Sequence, residues 1–529
     1  MTQETAPDSA AHDDAEPLPT GSPRWRALLR DEGGARYRWT RFFILRMVGL
    51  LYLMGFLVLA EQGLPLLGHD GLLPADKFVT RAILSHDSPA DAFWDLPSLF
   101  YWIGTSDRTL LGLAWVGVAL STTVLLGYTN AIVLAVLWAL YMSFVHVGQL
   151  WYGYGWELQL LETGFLAIFL AAPLDPRPFA TRDPPASVIW LYRWLIFRIM
   201  LGAGLIKIRG DSCWRDLTCL YTHYETQPIP SPLSALFNAL PHAFQKLSVL
   251  VNHFCELVVP FFVFGPRRAR HVAGWLLLAF QCLLILSGNL SFLNWLTIIP
   301  ILACFDDSRM ARLVPRRWRG AVGPSVPASR VHRGFAWALV AVVAGLSLAP
   351  VGNMLSAEQV MNTSFNAFDL VNTYGAFGTV GRERNEIVFE GTSSASPDES
   401  AAWKPYEFRC KPGNPERRPC FMSPYHYRID WQIWFAAMTD PAGAPWTLHF
   451  VWKLLHGDRG TLSLLANDPF PGEPPRYIRA KLYRYQFAPL GEKGWWRREP
   501  LGEWLPPLSI DDPRLTRFLR SYGWLDRRQ

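Results

Sequence analysis

Ionisable residues crowd the stretch Gly202–Leu233, GAGLIKIRGDSCWRDLTCLYTHYETQPIPSPL, where an apolar helix ends in charge. Lys207, Arg209, Asp211, Arg215, Asp216 and Glu225 lie there with Trp214, His223, Tyr224 and Gln227. Charges at the mouth of a bilayer helix are costly, so they mark a site. Two readings of Lys207 stand side by side. It snorkels and pairs with Asp211 or Glu225, or it is a desolvated lysine that serves as a base or a carboxylate anchor. Glu162 sits about one and a half turns into another apolar helix, and a buried carboxylate there needs Lys207, Arg198 or His253 as partner. His253 and Glu256 share a helix face at i, i+3. Their H-x-x-E spacing offers two metal ligands, but the sequence shows no third. No metal is therefore expected, and a hydrogen-bonded pair lining the same cavity is the better reading. Lys207, Glu162, His253 and Glu256 are the candidate catalytic groups, and the remaining charged and aromatic residues of 209–227 are the candidate binding cluster.

Membrane helices must position these groups. The 529 residues are 50% hydrophobic and only 18% charged, against about 25% charged in an ordinary soluble domain. The apolar residues gather in blocks between Phe42 and Val351, and the expected spans are 42–60, 110–127, 130–147, 157–173, 188–206, 249–265, 272–287, 289–304 and 335–351. The block 289–304 is either a span or a re-entrant segment. Residues 1–22 read as a disordered tail, 23–352 as the transmembrane domain with an outward loop 207–248, and 353–529 as an extramembrane domain. Asn289 and Asn294, in apolar surroundings, read as glue between helices or as cavity polar groups.

Arginine placement orients the spans. Arg24, Arg26, Arg30, Arg36, Arg38 and Arg41 precede the first span. Nine crossings then put Arg177, Arg182, Arg267, Arg268, Arg270 and the run from Arg309 to Arg333 on the same, cytoplasmic side. The loop 207–248 and everything after 352 fall outside, in an oxidising compartment. Cys213 with Cys219 and Cys410 with Cys420 are expected to form two disulfides there, although other connectivities are open. Cys255, Cys282 and Cys304 are expected to be free and packed. The net charge of +6 fits this loop bias better than a nucleic-acid-binding face.

Beyond about residue 366 short alternating runs are broken by Gly and Pro. Glu386–Glu390, Tyr406–Cys410, Tyr427–Phe435, Leu462–Leu465, Tyr477–Phe487 and Trp495–Glu499 read as strands, and 445–456 as a helix. The expected fold is thus a polytopic α-helical membrane bundle of about nine spans followed by an extramembrane β-rich, sandwich-like domain.

Several long stretches resemble the lipase maturation factor family. They are WELQLLETGFLAIFLAAP (156–173), KIRGDSCWRDLTCLYTHYETQPIPSPLS (207–234), NHFCELVVPF (252–261), VNTYGAFGTVGRERNEIVFEGT (371–392), YHYRIDWQIWFAAM (425–438), NDPFPGEPPRYIRAKLYRYQF (467–487) and WWRREPLGEWLPPLS (495–509). The resemblance spans roughly 42–510 and implies a membrane-anchored, chaperone-like factor that helps secreted lipases fold or assemble. Ala203-Gly204-Leu205-Ile206-Lys207 is also similar, over a short distance, to a segment of the vitamin K-dependent γ-carboxylase.

No G-x-S-x-G elbow, P-loop, H-E-x-x-H or G-x-G-x-x-G fingerprint occurs, so no cofactor is expected. The expected partners are membrane lipids and a secreted lipase client, with no nucleic acid. The alternative is an integral-membrane enzyme that uses Lys207, Glu162 and His253 in an outward-facing cavity on a lipid or protein substrate. A high Arg:Lys ratio points to a GC-rich bacterium, hence to the inner membrane with a periplasmic C-terminal domain. In a eukaryote the same topology gives the endoplasmic reticulum membrane and its lumen.

Overall fold

The computed structural model describes residues 36–321 and 326–525. The expected tail 1–22 and the first arginines, Arg24 to Arg30, lie outside the described residues. Among the described residues nine main helices make the bundle: α1 (Arg38–Leu67), α2 (Asp107–Leu126), α3 (Ala131–Val147), α4 (Gly155–Leu170), α5 (Ala186–Arg209), α6 (His242–Phe264), α7 (Arg267–Ser287), α8 (Leu293–Cys304) and α9 (Arg330–Leu355). Each coincides with an expected span. Six of them (α1, α2, α5, α6, α7 and α9) are long and apolar enough to cross a membrane. The expectation of nine exceeds this count because α3, α4 and α8 are shorter. At 16 residues, α4 rises only about 24 Å, less than the roughly 30 Å hydrocarbon core.

The helices pack closely where side chains are small. A Cβ added to Gly49 of α1 would lie 2.6 Å from the Leu125 backbone nitrogen of α2. One at Gly202 of α5 would lie 2.6 Å from the Tyr374 carbonyl. Only glycine there lets the segment 372–378 lie against α5.

The two ends of the bundle differ. At one, Asp307 accepts from the Arg38 and Trp39 amides at 3.0 and 2.7 Å, Arg41 donates to the Ala180 and Arg182 carbonyls, and Arg267 pairs with Asp306 at 2.6 Å. The arginine-rich loops thus meet on one side. At the other end Gln62 of α1 donates to the His426 carbonyl at 2.7 Å and accepts from the Arg428 amide at 3.0 Å. The C-terminal domain sits there.

That domain is built on one antiparallel four-stranded sheet, ordered β2-β1-β3-β4, with β1 Arg384–Thr392, β2 Lys404–Pro405, β3 Tyr477–Phe487 and β4 Trp496–Ser509. Glu386 stands opposite Tyr483, and Tyr485 opposite Arg498. The expected sandwich is corrected to this single sheet covered by helices. Residues 428–436 form helix α10 (Arg428–Ala436), Arg459–Ser463 is a short helix, and 446–455 forms the expected helix α11 (Trp446–Leu455). The run 427–435 misleads because Ile429, Trp431 and Ile433 alternate, while Ile429, Ile433 and Ala436 also recur at i, i+4, i+7. Both sets are buried, and the backbone takes the second period as a helix. Tyr406–Cys410 makes only an isolated bridge, Phe408 to Leu465.

Buried ion pairs lock the domain to the bundle. Arg428 of α10 pairs with Glu157 of α4 at 2.9 Å, both inaccessible to solvent. Tyr141 and Trp156 donate to the same carboxylate. Arg384 of β1 pairs with Glu386 at 2.6 Å and donates to the Glu225 and Pro228 carbonyls at 2.8 and 2.9 Å. Arg428→Met leaves Glu157 charged and alone in the interior. It is expected to cost about 3–5 kcal/mol, read as a lowered Tm of the full chain in detergent. Glu157→Gln added to it should recover part of that loss.

Candidate functional site

Lys207 ends α5 facing inward, and its ammonium forms an ion pair with Glu256 of α6. It also donates to Asn252 Oδ1 at 3.3 Å, and Asn252 Nδ2 donates to Glu256 Oε2 at 2.9 Å. The Trp214 ring covers the ammonium at 5.1 Å. The partner of Lys207 is therefore neither Asp211 nor Glu225. Asp211 pairs with Arg382 at 3.0 Å and caps the turn at Cys213. Glu225 accepts from the Phe487 amide at 2.7 Å, and its burial pushes its carboxyl upward.

The other candidates part company. Glu162 pairs with Arg198 of α5 and accepts from the Tyr374 hydroxyl at 2.7 Å and the Asn372 amide at 3.0 Å. His253 turns from Glu256 to the Trp214 carbonyl, 3.0 Å from Nε2. A π-helical turn, Phe254–Val258, follows His253 in α6. It adds a residue to the turn that carries Glu256 and separates the two side chains. Arg209 donates to the Met354 carbonyl and to Gln359, both at 2.7 Å, and Arg215 to the Ile208 carbonyl at 2.6 Å. Asp216 is exposed. The enzyme reading needs Lys207, Glu162 and His253 in one cavity, and the geometry does not assemble them.

What the structure does assemble is a chamber on either side of a thin wall. The wall is the short helix Leu220–Thr226 with residues 375–377. Gln227 ties it to α7 by donating to the Ser287 carbonyl at 2.9 Å and to Ser234 Oγ at 3.0 Å. Trp214 Nε1 donates to the Phe377 carbonyl at 2.8 Å. Cys213 and Cys219 are bridged, with Cα atoms 4.8 Å apart, and so are Cys410 and Cys420 at 5.5 Å. Cys255 and Cys304 are free and buried, whereas Cys282, expected to be packed, is exposed on α7. On one side of the wall a cavity of about 290 Å³ reaches Lys207, Asn252 and Glu256. On the other a cleft of about 550 Å³ runs between the bundle and the C-terminal domain, lined by Tyr154, Trp156, Phe377, Trp431, Trp434 and Met438.

Asn252, Asn372, Tyr374, Arg384 and Arg428 escaped the sequence reading. A signal existed for two of them. Asn252 precedes Glu256 by one helical turn, and Arg428 is a lone cation in an aromatic run. Asn289 acts as glue, accepting from the Met422 and Ser423 amides at 3.0 and 3.3 Å. Asn294 donates to Gln281 at 2.9 Å.

Residues 39–312 match the family model described as the lipase maturation factor transmembrane domain, and 370–506 match the lipase maturation factor C-terminal domain. The chain belongs to the lipase maturation factor family. It is 48% identical over 517 residues to Lipase maturation factor 1 of Bos taurus, covering 92% of this chain and 91% of that protein. The Homo sapiens relative of the same name is 46% identical, with 92% and 90% covered. Lipase maturation factor 2 of Gallus gallus is 30% identical, with 90% and 82% covered. No solved structure matches. With its six long apolar helices, this member of the lipase maturation factor family is an integral membrane protein.

In this family member the wall carries a buried imidazole. Burial first, and then the Lys207 charge, push His223 down from 6.5 to about 4. Between those values the unfolded chain binds the proton and the folded one does not. The stability tied to neutral His223 is complete above pH 6.5 and is lost as pH falls toward 4. The Tm of wild type should therefore fall more steeply than that of His223→Gln between pH 6.5 and 4. The difference at pH 4 is expected to approach about 3 kcal/mol.

Proposed function

We propose that this chain is a membrane-anchored maturation factor that assists the folding or assembly of secreted lipases. The observation that carries the reading is the kinship with proteins named lipase maturation factor over nine-tenths of the chain. We infer a topology to go with it, with nine crossings and the arginine-rich end cytoplasmic. The transmembrane domain is then 23–352 and the extramembrane domain 353–529, on the oxidising side. That side is the periplasm of a bacterium or the endoplasmic reticulum lumen of a eukaryote. Two disulfides suit such a compartment.

The client face in this reading is the aromatic cleft. A folding intermediate exposes apolar side chains, and a half-open aromatic groove can hold them without base or acid chemistry. Met438, 61% exposed, and Phe435, 43% exposed, stand at its mouth. Buried ion pairs hold its two walls in fixed relation, so the groove is preformed.

In cells lacking the endogenous factor, the chain should raise the activity of a co-expressed secreted lipase per unit of lipase protein. Phe435→Lys with Met438→Lys puts two charges on exposed positions of the groove. It is expected to remove most of that rescue while leaving the level and Tm of the factor unchanged. Full rescue by the double variant would move the client face elsewhere. No rescue by wild type would remove the lipase client.

A further inference from the structure

The cavity beside Lys207 is separate from the aromatic cleft, and it is built differently. Its mouth lies between α6 and α7, on helices long and apolar enough to cross the membrane. Phe244, Leu247 and Leu283 line it and are also 47%, 56% and 50% exposed. A side chain that both lines a cavity and faces outward from a bilayer helix marks a lateral opening to lipid. Phe280, Leu284 and Leu293 continue the apolar wall inward.

The inner end is polar. Gln159 is completely buried, its Nε2 donates to Thr297 Oγ1 at 3.1 Å, and its Oε1 has no partner. Among the described residues the His223 ring and the Tyr224 hydroxyl also have no hydrogen-bond partner, and both line the cavity. A buried polar atom without a partner, as Gln159 Oε1 is, is costly unless a ligand or water meets it. The cavity therefore offers an acceptor at Gln159 and donors at Tyr224 and, in one tautomer, His223.

Its charge is balanced. Lys207, Asn252 and Glu256 close on one another, and the imidazole is neutral at pH 7. Neither Glu162 nor Arg198 reaches the lining. A free carboxylate or a phosphate would meet no unpaired cation there, and burying it would be penalised. An uncharged head with ester carbonyls to accept and hydroxyls to donate meets the open groups.

We propose that this cavity is a binding site for an uncharged acyl glyceride, a monoacylglycerol or diacylglycerol, that enters sideways between α6 and α7. The acyl chain lies along Phe244, Leu247 and Leu283, and the glyceryl end faces Tyr224, His223 and Gln159. This site is independent of the lipase client, and its test contains no lipase.

The full chain in phosphatidylcholine nanodiscs would be photolysed with a monoacylglycerol carrying a diazirine in its acyl chain, and the adducts mapped by peptide mass spectrometry. Label is expected on 244–251 and 280–287, and unlabelled 1-oleoylglycerol should displace it at least ~10-fold better than oleate or lysophosphatidate do. Ala203→Trp, which fills the cavity from α5, should abolish that label. Tyr224→Phe, which removes only a hydroxyl, should weaken competition by 1-oleoylglycerol about 5-fold, the equivalent of one ordinary hydrogen bond. Label spread evenly over all apolar helices and insensitive to competitor would overturn the site. Oleate or lysophosphatidate competing as well as 1-oleoylglycerol would overturn the ligand class. Wild-type labelling and competition decide both points even if Ala203→Trp fails to fold.

Discussion

A carboxylate buried among bilayer helices has to be met by a cation and by donors, and α4 carries two of them, Glu157 and Glu162, five residues apart. Neither is satisfied by the bundle alone. Glu157 is completed by Arg428 from the C-terminal domain. Glu162 takes Arg198 from the bundle, but its second oxygen accepts from Asn372 and Tyr374, which follow α9. The helical bundle therefore has its full complement of partners only when the later half of the chain is seated on it. This dependence runs both ways. Arg428 and Arg384 are themselves fully buried; without the bundle Arg428 would lose Glu157, and Arg384 would lose the carbonyls of 225–228 that complete its pairing with Glu386.

The seating defines both chambers. Gly202 and Gly210 let the chain pass close to α5. A Cβ at Gly210 would come within 2.2 Å of the Gly378 carbonyl. Residues 375–377 thereby become part of the wall shared by cavity and cleft. The Cys213–Cys219 bridge closes a short loop beside the same wall, and Trp214, held between Lys207 and the Phe377 carbonyl, joins the charged pair to it. A shift of residues 375–377 would alter both spaces at once, because the same atoms line them.

Much of this was legible in the sequence, and the rest was hidden for definable reasons. Hydropathy located every main helix of the bundle, because an unbroken apolar run of that length has few other solutions. By length and composition six of the nine qualify to cross a bilayer, because α3, α4 and α8 are apolar without being long. Local cysteine spacing found both bridges. The strands β1, β3 and β4 were readable from alternation, whereas Tyr427–Phe435 was not, since two and 3.6 residue periods coincide over nine residues. Charge within an apolar helix draws attention to Glu162 and Lys207. Their partners were invisible because ion pairs join residues far apart in the chain: Lys207 to Glu256 across a helical hairpin, and Glu157 to Arg428 across 271 positions. Sequence proximity favoured Asp211 and Glu225, which the fold spends on Arg382 and the Phe487 amide.

The separation of those charges also bears on what the protein can do. Acid–base chemistry needs a donor and an acceptor aimed at one reacting atom. Here the buried carboxylates Glu157, Glu162 and Glu256 are each matched to a cation that neutralises them. Glu162 is wholly occupied with holding Asn372 and Tyr374, and Glu256 with Lys207 and Asn252. Open polar groups on the cavity lining include an amide oxygen, a hydroxyl and an imidazole, all uncharged near neutral pH, in a space continuous with apolar walls. Such a set suits recognition of an uncharged ligand. It suits a protein whose membrane half senses or holds a neutral amphiphile while its other half presents a preformed aromatic cleft. The shared wall gives the two a physical means of influencing each other.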